Sequence, residues 1–362
     1  MGEFASQHRA AQPSPPPAGA AAGGEPFLAA DVGGTHARIG LVAATSDSRR
    51  PVSVLHYHRY RCADWPDLGS MLRDFLAQLA GGDHAAPAAH PRRCVVASAG
   101  VVLDGVIVNE NLPWPVAIDA LRDATGLREL EVINDFEAVA WATQFLADED
   151  TLPVIKPAQR PARGPVLVMG PGTGLGSAVL LPRAGHAQVL PTEAGQISLA
   201  PGNAREGEIL RLLARERLHV SYEDVLSGPG LLNLYRALCE LRDEPAVLAT
   251  PAEITGAALT SHDGAARETL GVFCGLLGSF AGDLAMLYGA CGGVFLAGGI
   301  LPQIQGFLRT SSFAERFHNK GVMRAFLQKI PVRLIEHGQL GVIGAASWFL
   351  DERLKQGSTP PH

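Results

Sequence analysis

The pair Asn134-Asp135 stands where an apolar run, LEVI, meets a helical pattern, FEAVAWATQFLA. A carboxylate between the end of a strand and the start of a helix lies where α/β ligand clefts open, and there it can take a proton from a substrate hydroxyl. The positive end of the helix dipole would keep it ionised. Asn and Asp are also favoured helix N-caps, and the residues alone fit both readings.

Three glycine-rich turns could hold a nucleotide. Asp31-Val32-Gly33-Gly34-Thr35 lies between two apolar runs. Its glycines let backbone N–H groups approach a phosphate, Thr35 adds a hydroxyl, and Asp31 could hold magnesium through water. The plain alternative is a hairpin turn with a structural Asp. The stretch from Gly170 to Gly176, with Gly172, Thr173 and Gly174 at its centre, repeats that logic. It lacks the lysine of a P-loop and lies between strands, so neither a P-loop nor a dinucleotide fingerprint fits. Ala297-Gly298-Gly299-Ile300 follows the run GVFL and precedes a helical pattern. A base or ribose could lie on its bare backbone, and a tight strand-to-helix turn explains it equally.

The segment TEAGQIS sets Glu193 and Gln196 three residues apart where charge is otherwise sparse. Alone it reads as a solvated turn.

These groups need a scaffold, and the composition supplies one. The chain has 362 residues, 47% of them hydrophobic and 18% charged, enough for a large core and usually two domains. Its net charge is −6 with Lys and Arg scattered, so no nucleic-acid or membrane footprint is expected. Five separated cysteines without a C-x-x-C pair suit a reducing, cytoplasmic setting. The apolar run at 269–282 is stopped by Asp283 and reads as a buried core helix within 265–289. Residues 1–25, rich in Pro, Ala and Gly, read as a disordered lead-in and not as a signal peptide.

From Pro26 the pattern is α/β. FLAADVGGTHARIGLV reads as a hairpin, VSVLHYHRY as a third strand, and LGSMLRDFLAQLA and VAIDALRDAT as helices, the second closed by Gly126. After a Pro-rich linker at 156–165, PVLVMGPGTGLGSAVLLP starts a second strand, Gly-turn, strand cycle. Helices follow near 206–217 and 228–241, and QLGVIGAASWFLDERL makes a closing helix. The chain is thus a coarse internal duplication.

Taken in order and spacing, DVGGTHAR, NENLPW, INDFEAVA, GPGTGLG, SYEDVLSGPGL and FLAGGI resemble the bacterial-type glucokinase family, over about 27–354. The resemblance implies an α/β, two-lobed actin-like (ribonuclease H-like) sugar kinase fold with an interlobe cleft. A small domain would take 26–143 plus 337–356, and a large domain 144–336. It implies ATP and Mg2+, glucose or a related hexose as partner, and a homodimer. Asp135 matches the base that takes the proton from the sugar's 6-hydroxyl. Asn111, Asn134, Glu193 and Glu223 match sugar ligands, and the glycine tips match phosphate-binding turns.

Three positions depart from the family pattern. Glu193-Ala194-Gly195-Gln196 replaces the usual Glu-Gly-Gly-His, whose histidine lies near the sugar's anomeric end; His36 replaces a common Asn, and Glu110 a common Thr. Gln196 can still donate and accept, but it cannot titrate. A catalytically weak or inactive sugar-binding regulator on the same scaffold, or a kinase for another hexose, is the alternative these changes raise. A member of the ROK group is disfavoured, since neither its Cys-rich zinc motif nor the repressors' helix-turn-helix is present.

Overall fold

The computed structural model describes residues 24–81, 91–108, 112, 114–157, 162–183, 186–260, 264–336 and 338–358. Most of the lead-in, Glu110 and Asn111 lie outside them, so the expectations for those positions are not addressed by the fold.

The first half carries β1 (Phe27–Val32), β2 (His36–Ala44), β3 (Val52–Arg61), α1 (Leu68–Gly81) and β4 (Arg93–Ser98). Three short strands follow, β5 (Val101–Leu103), β6 (Val106–Val108) and β7 (Val116–Ala117), then α2 (Ile118–Thr125), β8 (Glu129–Asn134) and α3 (Asp135–Ala142). The main sheet runs β3-β2-β1-β4-β8, antiparallel through β3, β2 and β1 and parallel through β1, β4 and β8. Gly126 closes α2 in the left-handed conformation, φ 69°, which glycine adopts without a Cβ clash.

The second half begins with β9 (Thr151–Ile155), then β10 (Val166–Pro171), β11 (Leu175–Arg183) and β12 (His186–Thr192). Next come α4 (Ala204–Leu213), α5 (Gly228–Leu241), α6 (Pro251–Thr260), α7 (Ala265–Leu287) and β13 (Gly293–Leu296). The chain continues through α8 (Gln305–Thr310), α9 (Phe313–His318), α10 (Arg324–Leu327) and β14 (Val332–Ile335) to α11 (Leu340–Ser358). The second sheet is β12-β11-β10-β13-β14-β9. Its first five strands repeat the order and directions of the first sheet, and β9 adds an antiparallel edge. The duplication read from the glycine hairpins is therefore a duplication of topology.

Helices α3 and α11 lie between the sheets. Val342, Ala345, Ala346 and Phe349 of α11 pack on Phe27, Ala29, Val95 and Ala97 of the first sheet. Ala140 and Ala142 of α3 pack with Val168, Ala178 and Ala297 of the second. The two helices meet where Gly344 lies against the Ala138 carbonyl, a contact that any Cβ at 344 would occupy. Each sheet has a separate core on its outer face, one built with α1 and one with α7.

The apolar run expected to be a core helix is α7. Phe273, Leu277, Phe280 and Leu284 are buried, and Gly278 and Gly282 let the backbone of α9 pack directly on it. Helix α6 and strands β9 and β12 were not expected from the sequence, and Ala297–Ile300 leads first into a 3₁₀ turn at Leu301–Ile304.

Candidate active site

Strands β1, β4 and β8 are parallel and in register, Val32 beside Ser98 and Ser98 beside Asn134, so Asp31 and Asn134-Asp135 emerge at one edge of the sheet. Asn134 is the N-cap of α3. Its Oδ1 accepts from the Phe136 and Glu137 amides at 3.0 and 3.1 Å, leaving Nδ2 as a donor. Asp135 is the first residue of that helix, and one of its oxygens accepts from the Phe136 amide at 2.9 Å. Asn134 realises the capping reading, and Asp135 stands at the strand end that the cleft reading requires.

The carboxyl of Asp135 is not held in the usual carboxylate range. Burial pushes it up to about 7, the Asp31 charge adds to the rise, backbone amides offset part of it, and Glu193 raises it further. The expectation that the helix N-terminus would keep it ionised is corrected here: desolvation outweighs the backbone amides. Asp31 is likewise raised by burial, against the opposing charge of Arg38. Arg38 Nη1 lies 3.0 Å from Asp31 Oδ2. The Asp31 carboxylate also rests on Gly341, where an added Cβ would come within 2.6 Å of its Cγ.

Phe136 carries Asp135 to the other half of the chain. Its ring occupies the space a side chain at Gly176 of β11 would need. Just before Gly176, the Leu175 amide donates to Glu223 Oε2 at 2.7 Å, with Gly174 closed against the same oxygen. Glu223 Oε1 accepts from Gln196 Nε2 at 3.0 Å, and the Glu223 amide donates to the Gly195 carbonyl at 2.9 Å. Gln196 is further fixed by His219, whose Nε2 lies 2.9 Å from its main-chain carbonyl oxygen. Glu193, exposed at the end of β12, contributes its charge to the Asp135 environment.

The second tip is stitched to this wall, since the Gly228 amide donates to the Gly172 carbonyl at 2.9 Å. Thr173 is exposed at its apex. Gly298, at φ 94°, lies against the Pro171 carbonyl, which brings the exposed Gly298-Gly299 backbone beside that tip. The first tip, Gly33-Gly34-Thr35, joins the group through Asp31 and is closed by Gly33 N–H to the His36 carbonyl at 3.0 Å. Thus Asn134 and Asp135 are joined through Phe136 to Glu223, Gln196 and the second and third glycine turns, while Asp31, beside the first turn, and Glu193 act on Asp135 through their charges. Asn111 lies outside the described residues.

The sequence reading missed Arg38, Phe136 and Leu175. Arg38 was accessible: a turn closed between residues 33 and 36 sets 31 opposite 38. The other two act through a ring face and a backbone N–H, which leave no residue-type signal.

The sequence profile of the glucokinase family matches residues 28–352. The chain belongs to the glucokinase family. A glucokinase-like protein of Xylella fastidiosa is 48% identical over 328 residues, 90% of this chain and 95% of that one. The glucokinase of Paramagnetospirillum magneticum is 40% identical over 90% of this chain and 98% of its own length. The crystal structure of a glucokinase from an Antarctic psychrotroph superposes with TM-score 0.77 at 36% identity, covering 91% of this chain and all of that one. The duplicated sheets are accordingly those of the actin-like sugar kinases, and the family's reaction, ATP-dependent phosphorylation of glucose, is the reaction of this glucokinase-family chain.

Proposed function

We propose that Asp135 is the general base for transfer of the γ-phosphoryl group of ATP to O6 of glucose, giving glucose 6-phosphate and ADP. The observation that carries this is a buried carboxyl at a strand end, brought by burial and by the Asp31 charge to a proton affinity near neutral pH, with one oxygen outside its backbone hydrogen bond. A base poised there can accept the O6–H proton as the O6–P bond forms and the bond to the ADP oxygen breaks. Asn134 Nδ2 donates to a sugar hydroxyl, while Glu193 and Glu223 accept from ring hydroxyls; Asn111 joins them on the strength of the family resemblance. The first two glycine tips hold the phosphates, and Gly298 and Gly299 lie under the nucleoside.

Asp31 keeps one oxygen outside the Arg38 ion pair, and no cluster of three or more His, Cys, Asp or Glu able to cage a metal occurs among the described residues. That donor set fits magnesium held mainly by phosphate oxygens and water, with Asp31 as an outer contact. When bound, such an ion supplies neutralisation of charge on the phosphates. The proposal extends to a small lobe of 26–143 plus 337–356 and a large lobe of 144–336, supported by the two separate outer cores. Work in the cytoplasm, in glycolysis and as a homodimer rests on the resemblance; light scattering that gives a monomer at working concentration would remove the last.

The central test is ADP release over glucose, mannose, fructose and N-acetylglucosamine, with sugar binding followed by calorimetry. Asp135→Asn should bind glucose within a few-fold of the parent and lose about two to four orders of magnitude in kcat. A near-normal kcat in that variant refutes the role of Asp135.

A further inference from the structure

His36 and three arginines share one face of the first sheet beside the first glycine tip. Direct cross-strand partners point the same way, and the register pairs Asp31 with Arg38, Arg38 with Arg59, and His36 with Arg61. The opposite face, with Val32, Ala37, Ile39 and Tyr60, is buried under α1. Neighbouring members lie about 5 Å apart across strands and about 7 Å along them.

The charge in this patch is unbalanced. Arg38 is neutralised by Asp31, but Arg59 and Arg61 are exposed and form no ion pair among the described residues. Arg59 Nη2 lies 3.2 Å from His36 Nε2. Guanidinium only donates, so His36 accepts, stays neutral, and aims the Arg59 fork. Burial and the three arginine charges, led by Arg59, all lower the His36 pKa, which agrees with that assignment. The start of α11 covers this face lower down, where Asp31 rests on Gly341 and the Tyr57 hydroxyl donates to the Gly338 carbonyl at 3.3 Å. The end bearing His36, Arg59 and Arg61 is the end from which Asp135 emerges.

We propose that His36, Arg59 and Arg61 form a binding site for a linear phosphate chain that continues the first glycine tip outward along β3. Two guanidinium forks about 7 Å apart on a β-strand can each take a separate phosphate group of one linear chain, those groups accepting paired N–H donors. Such a chain can be the tail of the nucleotide donor or inorganic polyphosphate. The inference rests on reading Gly33-Gly34-Thr35 as a phosphate turn, and binding can be measured without turnover.

The test titrates the full chain by calorimetry with inorganic tripolyphosphate, a longer linear polyphosphate and a non-hydrolysable ATP analogue, in the parent, Arg59→Ser/Arg61→Ser and Arg59→Lys/Arg61→Lys. Both positions are exposed, so circular dichroism should find both variants folded. The Ser pair should bind the inorganic chains about tenfold or more weakly, and the Lys pair should fall between. A parallel loss for the ATP analogue identifies the donor's tail as an occupant, and an unchanged ATP analogue identifies inorganic chains alone. Equal affinity for the chains in parent and Ser pair, or no binding by the parent, overturns the inference. Intact chain binding with no turnover on any hexose would instead sink the kinase assignment and leave this site standing.

Discussion

The proposed base, Asp135, ties chemistry to pH. Its carboxyl is raised in the folded chain to about 7 from an ordinary 3.8, so kcat/KM for the sugar should fall about tenfold per pH unit below 7. The same shift acts on stability with a definite sign. A folded-state value above the unfolded one favours folding below the unfolded pKa, and that contribution is lost as pH rises through the folded value. Asp135→Asn should therefore raise Tm relative to the parent at pH 8 and lose that advantage by pH 4. A Tm difference that is flat with pH would contradict the burial of the charge.

Gln196 carries a second residue-scale prediction. Carboxylates only accept, so Glu223 fixes the amide with Nε2 towards it and leaves Oε1 as an acceptor, which we propose meets a sugar hydroxyl. A neutral imidazole donating to Glu223 would present the same polarity. Gln196→Leu should weaken glucose binding about tenfold, and Gln196→His should restore it near pH 8 but lose it again as the ring protonates towards pH 5. Calorimetry at the two pH values checks this; parent affinity that varies as strongly as the His variant's would rule it out.

At the scale of elements, the segment that carries Glu193 and Gln196 depends on a buried ion pair. Glu206 at the start of α4 is 3% exposed and takes both Arg316 Nη atoms, at 2.6 and 2.9 Å. It also accepts from the Gly202 amide at 2.6 Å and the Asn203 Nδ2 at 2.9 Å. The pair thereby anchors the downstream end of the segment carrying Glu193 and Gln196 to α9. Removing one partner leaves a buried charge, so Arg316→Ala should cost about 3–5 kcal/mol in denaturant unfolding, far above the range of exposed pairs. A loss below about 1 kcal/mol would mean that Glu206 is rehydrated or protonated at little cost.

Some elements had signals that went unread. Helix α6 opens on Thr250-Pro251-Ala252-Glu253, and Thr250 and Glu253 exchange side-chain to backbone hydrogen bonds at 3.2 and 2.9 Å, a capping box with Pro at the first turn. Others had none. β9 and β12 contain Pro153 and Pro191 and alternate poorly, and they are strands because sheet edges await them.

For the whole molecule, α3 and α11 stand between two sheets with independent outer cores, so a shift of one sheet against the other would leave both outer cores packed. Glucose at about 100 times its Kd should add about 2.7 kcal/mol to unfolding stability. Small-angle scattering should show a smaller radius of gyration with glucose, and an unchanged radius at saturation would mean that the cleft is already closed.

What the sequence determined by itself was local. Periodicity placed the two glycine hairpins, the strand-to-helix step at Asn134-Asp135 and the core helix α7, because apolar spacing and the special backbone of glycine act within a few residues. Motif order then pointed to the family. The proton affinity of Asp135 was decided only by the tertiary structure, because desolvation depends on everything packed round a group, whereas the sequence shows only the helix N-terminus that would keep it ionised. The union of the two halves was decided there as well. Phe136 on Gly176, Glu223 between Leu175 and Gln196, and Asp31 on Gly341 are contacts between residues far apart in the chain, and no spacing rule encodes them.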